Sequence, residues 1–552
     1  MREIDLNSTE RFGIPSLVLM ENAAMATTRT VAGISCITDE SILILCGPGN
    51  NGGDGAATAR LLALSGAKVD VVLFAKIKDT KGDALTNFEK LKSPDGDVSS
   101  RFFECTSADE WSALQRNELA KSYPIIIDAL FGTGLTRPLE GVYSEVIGNL
   151  LQLRRQRDKD GSRRATIISI DLPSGLNADS AQLIGVAVQS DVTVTMTAPK
   201  LANVLPPASN YNGALIVADI GSPPELIQTA NFSLFVSDEA DARQWLIKTR
   251  YASDSYKNSH GHVLVIAGSR GFTGAAALCG NAAMRSGAGL VTVGTPASAQ
   301  PLVATQVKPE IMTMALAETD RGAVSDQALG HVLKLAERAN VIAIGPGLSS
   351  AEDPTRDFVR ALVEQRSTPV VIDADGLNCL APWPAGLRGS TSLPVILTPH
   401  PGEMLRLIGS SDKSALDDRV TAASEFSVAH EVIVVLKGTR TLVAAPDGRV
   451  FINPTGNAGL GTAGAGDTLT GIIAGFLAQA YGTLKQEADA LVTVIAALYI
   501  SGLAGDLAAE EIGMRTMVAS DIREHLGAAI CAIDPEGEVP RPNRIGKVKP
   551  LC

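Results

Sequence analysis

The sequence predicts an α/β protein made of two successive units, each built on a parallel sheet. Short apolar runs alternate with helical patterns along almost all of the 552 residues, which is typical of βαβ repeats. Hydrophobic residues make up 45% of the chain and charged residues 20%, as in a folded globular protein. A polar stretch at 235–261 interrupts the alternation, which then starts again. We therefore place a domain boundary near residue 235.

Net charge, cysteine spacing and the length of apolar runs indicate which kinds of binding partner the protein has. The formal net charge of −12 argues against nucleic acid, because an acidic surface repels phosphate backbones. Seven scattered cysteines form no CxxC pair, as expected for thiols in a reducing cytoplasm. The longest uncharged apolar run, 490–505, is shorter than the ~20 residues of a membrane-spanning helix, so we expect a buried helix. These observations predict a cytoplasmic protein that acts on small molecules, with no membrane partner.

Each unit has its own set of predicted strands. In the first unit they cover 41–46, 68–75, 123–130, 165–171, 191–197 and 214–221. In the second they cover 262–268, 289–295, 341–347, 369–376, 394–400 and 431–438, followed by a hairpin over 441–453. Pro446, Asp447 and Gly448 give the hairpin its turn.

A glycine-rich loop follows the first strand. Gly47, Gly49 and Gly52 match the G-x-G-x-x-G pattern of dinucleotide-binding folds. Asp54 stands at the start of the next helix, where its charge would oppose a pyrophosphate, and the next strand ends without the acid that binds a ribose. The pattern therefore argues against an ordinary dehydrogenase site.

Two further strands of the first unit end in acids. Asp128 precedes a Gly-Thr-Gly loop, and Asp171 precedes Pro173-Ser174-Gly175. Ligands of doubly wound sheets bind beyond the carboxyl ends of the strands. Oxygen-bearing side chains gathered there suit a hard cation.

The first unit resembles the NAD(P)H-hydrate epimerase family, the YjeF N-terminal domain, over nearly all of 1–225. The resemblance is carried by MENAA at 20–24, GPGNNGGDG at 47–55, DALFGTGL at 128–135 and DLPSGL at 171–176. It implies a Rossmann-like doubly wound sheet, a potassium ion held by Asn51, Asp128 and Ser174, and Asp171 as substrate contact and acid/base. The implied contacts to the hydrated nucleotide are Asn50, Asn51, Gly52, Gly53, Asp54, Gly132, Thr133, Gly134, Leu135, Thr136, Arg137 and Pro138.

The second unit contains the strongest motif, AGAGD, at the entry of a predicted helix. Small residues before Asp467 let successive backbone N–H groups face an anion, and the helix dipole adds to that attraction. Asp467 then stands where it can take a hydroxyl proton during phosphoryl transfer. A glycine-rich helix entry with a capping Asp is the simpler alternative.

This motif resembles the G-A-G-D of ribokinase-like kinases, and further segments are similar to the ADP-dependent NAD(P)H-hydrate dehydratase family, the YjeF C-terminal domain. Those segments are KNSHG at 257–261, GSRGFTGAA at 268–276, GPG at 345–347, TPHPGE at 398–403 and KGTRT at 437–441, and Asp373 and Asp375 follow another strand. The resemblance implies substrate contacts at Ala275, Gly347, His400 and Asp467. It implies adenine-nucleotide contacts at Lys437, Gly438, Thr439, Arg440, Thr441 and Gly466.

The two resemblances together predict a repair enzyme for hydrated nicotinamide nucleotides, NADHX and NADPHX. We expect an epimerase domain over 1–235, a dehydratase domain over 236–535 and a loose tail over 536–552. ADP is the expected phosphoryl donor, with Mg²⁺ and K⁺ as cofactors, and we expect a homo-oligomer. The alternatives are a ribokinase-like vitamin-precursor kinase with a regulatory first half, and a non-catalytic binding module. ADP against ATP, and NADHX against NADPHX, stay open at this point.

Overall fold

The structure is a computed structural model that describes residues 1–92, 100–119, 121–160, 165–229, 232–252 and 254–538. The chain divides into two compact units, Met1–Asn231 and Phe232–Cys552. Each unit contains one sheet, as the sequence predicts. Of the expected tail, a short helix covers Pro535–Glu538, and residues 539–552 lie outside the described residues.

The first unit is a seven-stranded sheet with the order β3-β2-β1-β4-β5-β6-β7, parallel throughout. The strands are β1 Ser41–Cys46, β2 Lys68–Leu73, β3 Ser100–Glu104, β4 Ile125–Ala129, β5 Thr166–Ile170, β6 Val192–Met196 and β7 Ala214–Ala218. The helices are α1 Arg2–Glu10, α2 Ser16–Ile34, α3 Asn50–Leu64, α4 Gly82–Lys92, α5 Ala108–Asn117, α6 Val142–Asp160, α7 Leu201–Val204 and α8 Pro224–Thr229.

Helices cover both faces of this sheet, so the predicted doubly wound class is confirmed. Ile42 and Ile44 of β1 belong to the core that α2, α3 and α4 close. Leu43 and Leu45 belong to the core on the other face, with Trp111 of α5. Because the strand order reverses between β1 and β4, the loops that follow these strands diverge and leave a crevice at the carboxyl edge.

The second unit is a ten-stranded sheet with the order β11-β10-β9-β12-β13-β14-β15-β16-β17-β8. The strands are β8 Leu234–Val236, β9 His262–Ile266, β10 Leu290–Pro296, β11 Met312–Leu316, β12 Val341–Ile344, β13 Val370–Ile372, β14 Val395–Leu397, β15 Ile433–Leu436, β16 Leu442–Ala444 and β17 Val450–Ile452. The helices are α9 Glu239–Lys248, α10 Thr273–Arg285, α11 Gln300–Gln306, α12 Leu329–Ala336, α13 Asp353–Gln365, α14 Ala374–Cys379, α15 Pro401–Leu407, α16 Arg419–His430, α17 Ala465–Thr483, α18 Ala490–Ile512, α19 Ala519–Glu524, α20 Leu526–Ile533 and α21 Pro535–Glu538.

Strands β9 to β15 are parallel, and β16 and β17 form the predicted antiparallel hairpin. Gly448 has φ 88°, as the turn requires. Strand β8 pairs with β17, so the second sheet already includes Leu234, one residue before the expected boundary. The strand order again reverses between β9 and β12.

Helices α10 and α17 pack closely because α17 has glycines at the contact. A Cβ on Gly471 would lie 2.1 Å from the Cys279 carbonyl oxygen, and one on Gly475 would lie 2.7 Å from the Ala283 carbonyl oxygen. Any larger side chain would push the helices apart. This contact, the α10–α17 seam, holds the start of α17 in place over the sheet.

Helix α18 extends beyond the predicted apolar run, to Ile512. Its 23 residues are long and apolar enough to cross a membrane by length and composition, but 67% of its most apolar window is buried inside the protein. Core helices of soluble proteins pass the same test. The expectation of a buried helix agrees with this packing.

Candidate functional sites

A cavity of about 520 Å³ lies at the carboxyl edge of the first sheet. Its walls include the loop after β1, the loop after β4, and the residues after β5 and β6. The predicted site residues that line it are Asn50, Asn51, Asp54, Gly132, Thr133, Gly134 and Asp171. The structure therefore brings together segments that are separated by more than a hundred residues in the chain.

The glycines of the loop after β1 allow neighbouring backbone segments to pass closer than a side chain would permit. A Cβ on Gly47 would lie 1.9 Å from the Leu130 carbonyl oxygen, and one on Gly52 would lie 1.8 Å from the Gly47 carbonyl oxygen. Gly52 and Gly53 are buried, so they let α3 start tightly and leave the cavity wall to Asn50, Asn51 and Asp54.

Asp128 lies fully buried at the end of β4. Its carboxylate accepts hydrogen bonds from Ser174 Oγ at 2.6 Å, the Ser174 backbone N–H at 2.8 Å and Ser169 Oγ at 2.7 Å. Burial raises the pKa of Asp128, and the hydrogen bonds from Ser174 and Ser169 oppose that rise. Ser174 Oγ also accepts the Phe131 backbone N–H at 2.9 Å.

The oxygens around Asp128 fit a monovalent cation. The group offers a carboxylate and the Ser174 hydroxyl. The Asn51 carboxamide of α3 lies beside Gly132 in the next loop, where an added Cβ would meet Asn51 Oδ1 at 3.0 Å. Within the described residues no ion pair reaches Asp128, although its charge is costly to bury alone. Oxygen ligands of this kind match K⁺, and no group of three or more His, Cys, Asp or Glu side chains stands ready for a metal in the described residues.

Asp171 forms a buried ion pair that the sequence reading missed. Lys200 Nζ lies 2.5 Å from Asp171 Oδ1 and also donates to Thr195 Oγ1 at 2.9 Å and to the Met196 carbonyl at 3.0 Å. Both side chains are nearly buried, with 6% of Lys200 and 12% of Asp171 exposed. A Cβ on Gly132 would lie 2.9 Å from Asp171 Oδ2, so the absent side chain leaves that oxygen room beside the cavity. Lys200 thus holds one carboxylate oxygen and leaves the other available.

Asp171 also adopts a backbone conformation that is unusual for its residue type. Its φ is 67°, in the left-handed region that non-glycine residues seldom occupy. Such strain is stored where the surrounding structure fixes a side chain in place, often at a functional site.

Further acids surround the same cavity. Asp5 and Asp83 join Asp54 and Asp171 in its wall. The pKa of Asp54 is raised well above its ordinary value, by burial first and then by the negative charges of Asp171, Asp5 and Asp83. The raised pKa of Asp54 weakens the objection that its charge would repel an anionic ligand.

Breaking the Lys200–Asp171 pair should destabilise the first unit. In Lys200→Met the Asp171 carboxylate loses its cation, and we expect the free energy of unfolding to fall by about 3 kcal/mol. The matched control is Lys68→Met, because Lys68 pairs with Asp39 at 2.9 Å on the surface, where less than about 1 kcal/mol is expected. Hydrogen exchange at β5 and β6 in urea measures the loss in free energy of unfolding in each of the two variants. Equal losses in Lys200→Met and Lys68→Met would contradict the prediction.

Part of the predicted 132–138 segment lies away from the cavity. Leu135 is 7% exposed and belongs to the core that α6 covers. Pro138 packs against Gly185, where an added Cβ would meet its side chain at 3.2 Å. The cavity wall takes residues 130–134 from this loop, including Leu130 and Phe131, which the sequence reading did not assign.

The second site is formed around the start of α17. Gly464 is its N-cap with φ 82°, and Asp467 lies in its first turn. The pKa of Asp467 is raised to about 6, first by burial and then by the charge of Asp373, against the positive charge of Lys437. A carboxylate with a pKa near 6 is suited to accept a proton at neutral pH.

Asp373 and Lys437 form a buried pair beside this helix. Lys437 Nζ lies 2.7 Å from Asp373 Oδ1, and Thr470 Oγ1 donates to Asp373 Oδ2 at 2.8 Å. A Cβ on Gly466 would lie 3.3 Å from Lys437 Nζ. The structure therefore brings together the predicted residues Lys437 and Gly466, and it adds Asp373 and Thr470.

His400 caps its own helix. Its Nδ1 accepts the backbone N–H groups of Gly402 at 3.0 Å and Glu403 at 3.4 Å. In the neutral ring the proton then lies on Nε2, which is 3.5 Å from Glu403 Oε1. About half of the imidazole side chain is exposed, so it can also meet a ligand.

Gly347 and Ala275, which the sequence predicts as substrate contacts, lie against each other. A Cβ on Gly347 would lie 2.9 Å from Ala275 Cβ and 2.9 Å from the Phe272 carbonyl oxygen. In the 437–441 loop, Arg440 donates to the Pro454 carbonyl and Thr441 Oγ1 to the Gly438 carbonyl at 3.2 Å. Arg419 Nη1 donates a hydrogen bond to the Thr439 carbonyl of this loop at 3.2 Å.

Comparisons with known proteins cover both units. Residues 16–202 match the family model of the YjeF-related protein N-terminus, and residues 263–527 match that of NAD(P)H-hydrate dehydratase. The bifunctional NAD(P)H-hydrate repair enzyme of Moorella thermoacetica is 40% identical over 98% of this chain and 97% of its own. The enzyme of the same description from Thermofilum pendens is 35% identical over 97% and 96%.

Among solved structures, the ADP/ATP-dependent NAD(P)H-hydrate dehydratase of Bacillus subtilis, co-crystallized with ATP and Mg²⁺, is 31% identical. The structural match covers 55% of this chain and 100% of the Bacillus subtilis chain, with a TM-score of 0.46.

Proposed function

The chain belongs to the bifunctional NAD(P)H-hydrate repair enzymes, and from this premise we propose how its residues carry out the two steps. The first unit interconverts the R and S epimers of NAD(P)HX, and the second dehydrates NAD(P)HX to NAD(P)H. The observation that carries the proposal is the match of both units to relatives of this description along almost the whole chain. A stereospecific dehydratase repairs one epimer, and an epimerase on the same chain supplies it from the other.

Asp171 is the acid/base of the epimerase. The C6 hydroxyl of the hydrate is on a carbon bonded to the ring nitrogen. Asp171 in its protonated form gives its proton to that oxygen, and the nitrogen lone pair expels water, which leaves an iminium and the Asp171 carboxylate beside Lys200. Water then returns to the iminium from either face and gives a proton back to the carboxylate, which restores the starting form. The support is the cavity position of Asp171, with Oδ1 held by Lys200 and Oδ2 left available.

Asn51, Asp128 and Ser174 hold K⁺ in the epimerase. The ion would supply the positive charge that a buried Asp128 otherwise lacks, and so fix the loop after β4 beneath the substrate. The fully buried Asp128 carboxyl, which no ion pair reaches within the described residues, and the oxygen donors around it support this assignment.

Potassium should therefore stabilise the first unit. At one hundred times its Kd we expect K⁺ to raise the free energy of unfolding by about 2.7 kcal/mol and to raise the epimerisation rate. Thermal melts and epimer exchange in K⁺ are compared with N-methylglucamine at equal ionic strength. Identical melting in the two cations would contradict the site, and Asp128→Asn should abolish the difference.

Asp467 is the base of the dehydratase. Its carboxylate takes the C6 hydroxyl proton as the oxygen attacks the β-phosphorus of ADP, and AMP leaves. The ring nitrogen then expels phosphate, and loss of a C5 proton restores the dihydronicotinamide. The N–H groups of 464–467 face the transferred phosphoryl group, with Lys437 beside Gly466. Mg²⁺ would arrive with the phosphates of the nucleotide, as it commonly does.

The dehydratase should lose activity in acid. Below about pH 6 Asp467 is protonated and cannot accept a proton, so kcat/KM for the hydrate should rise about tenfold per pH unit up to that value and level off above it. The profile is measured with saturating Mg²⁺ and ADP, so that titration of free ADP does not enter. A flat profile from pH 5 to 8 would exclude Asp467 as the titrating base.

One incubation tests the function as a whole. Both epimers of NADHX and of NADPHX are added to the protein with and without ADP, and the return of reduced-nicotinamide absorbance is followed. We expect complete recovery with ADP and epimer exchange alone without it. A panel of vitamin-precursor alcohols offered with ATP tests the kinase alternative; turnover there and none with the hydrates would reverse the assignment.

A further inference from the structure

A second, larger opening lies beside the dehydratase residues. It is a surface cleft of about 1030 Å³ between α13, α14 and α15. Its lining includes Arg356 and Arg360 of α13, Arg406 of α15, Asn378 of α14 and Ser350. None of these residues belongs to the sites assigned above.

The cleft lies close to two of the candidate substrate residues, His400 and Gly347. A Cβ on Gly402 would lie 2.9 Å from the His400 ring and 3.9 Å from Arg406 Nη1, so His400 and Arg406 flank the same short turn. On the other side, Ser350 is three residues after Gly347 in the loop that follows β12. A ligand that contacts Gly347 and His400 therefore has the cleft at its outer end.

Polar contacts tie the two sides of the cleft together. Asp375 accepts the Ser349 backbone N–H at 3.0 Å and the Asn378 Nδ2 at 3.2 Å, and Asn378 Oδ1 accepts Arg406 Nε at 2.9 Å. Arg406 thus has a fixed Nε and keeps its terminal nitrogens for another acceptor.

Three arginines line the cleft against two acids, Asp353 and Asp357, on a protein whose net charge is −12. Arg356 is occupied, since it pairs with Asp353 at 3.1 Å and donates to the Ser350 carbonyl at 2.8 Å. Within the described part of the chain, Arg360 and Arg406 pair with no carboxylate. Guanidinium groups bind phosphate through paired N–H donors, which exposed lysines do less specifically.

We propose that Arg360 and Arg406 bind a phosphate on the adenylate side of the dinucleotide while its hydrated ring lies at Gly347, His400 and Asp467. This inference rests on the proposed dehydratase function and adds the part of the site that recognises the remainder of the substrate. The phosphate is either the pyrophosphate, present in NADHX and NADPHX alike, or the 2′-phosphate, present in NADPHX alone. Since the cleft is remote from C6, it contributes to binding and leaves the chemical step unchanged.

The test is the steady-state kinetics of Arg360→Ala and of the double variant Arg360→Ala/Arg406→Ala with (S)-NADHX and (S)-NADPHX at saturating ADP. We expect KM to rise at least fivefold in the double variant with kcat unchanged, which marks the loss of uniform binding. A rise with both substrates assigns the pyrophosphate, and a rise with NADPHX alone assigns the 2′-phosphate. Arg360→Lys should recover part of the loss.

The control is Arg338→Ala, an exposed arginine at the opposite edge of the sheet, beside the start of β9. Unchanged KM for both substrates in the double variant overturns the proposal, and so does a fall in kcat at constant KM. If the parent protein dehydrates neither hydrate, the proposed function itself fails; if it dehydrates them and the variants match it, only the cleft assignment fails.

Discussion

Asp467→Asn should lower ADP-dependent dehydration by about 10²-fold or more, the usual contribution of a positioned general base. The amide has nearly the same size and stays in the first turn of α17, but it cannot accept the C6 hydroxyl proton. Burial and the negative charge of Asp373 raise the pKa of the parental carboxyl to about 6, so the parent carries the required base at neutral pH. The measurement is phosphate release and absorbance recovery with the S epimer.

The epimerase on the same chain provides the internal control for this variant. Epimer exchange should continue at the parental rate, because Asp467 belongs to the second unit. Asp320→Asn, an exposed acid of the second unit, is the matched substitution and should leave both activities intact. Full dehydratase turnover in Asp467→Asn would refute the assigned role.

Asp171→Asn should abolish exchange between the R and S epimers and leave dehydration of the S epimer unchanged. The variant removes the only acid that both lines the first cavity and is held by a buried lysine among the described residues. With a mixed-epimer substrate and ADP, the parent should restore all of the NADH. The variant should stop once the fraction that began as the S epimer is consumed.

Because the change also removes the partner of Lys200, the fold of the first unit must be checked. Hydrogen exchange at β5 and β6 of Asp171→Asn should be no faster than in Lys200→Met, which would show that the first unit is still folded. Complete recovery of NADH by a folded Asp171→Asn protein at the parental rate would show that another group moves the proton.

The general positions of both sites could be predicted from the sequence because parallel strands end at one edge. Asp128 and Asp171 each follow an apolar run, and the sheet order places those runs side by side. The Gly464–Asp467 motif could be placed in the same way, since an apolar helix follows it. Local pattern and chain direction were sufficient for these residues.

Other features depend on tertiary contacts that no local pattern reveals. Lys200 looks like a surface lysine in the sequence, and only the Thr195 and Asp171 oxygens around it explain its burial. Strand β3, with sequence SRFFE, has two charged residues, and β8 has three residues in all. Strand β11, Met312–Leu316, lies at the sheet edge and is only partly buried. All three strands lie at an edge of their sheet, so each is defined by pairing with a single neighbouring strand, which a local sequence pattern does not reveal.

The α10–α17 seam has a consequence for inherited or engineered variation in this family. The separation of the two helices depends on the absence of single carbon atoms at Gly471 and Gly475. A methyl group added there would tilt the amino end of α17 and displace the backbone amides of 464–467 that we propose to face the phosphoryl group, although every residue of the GAGD motif would still be present. Variants that a motif search would score as harmless can therefore be inactive, and this seam is the place to look for them.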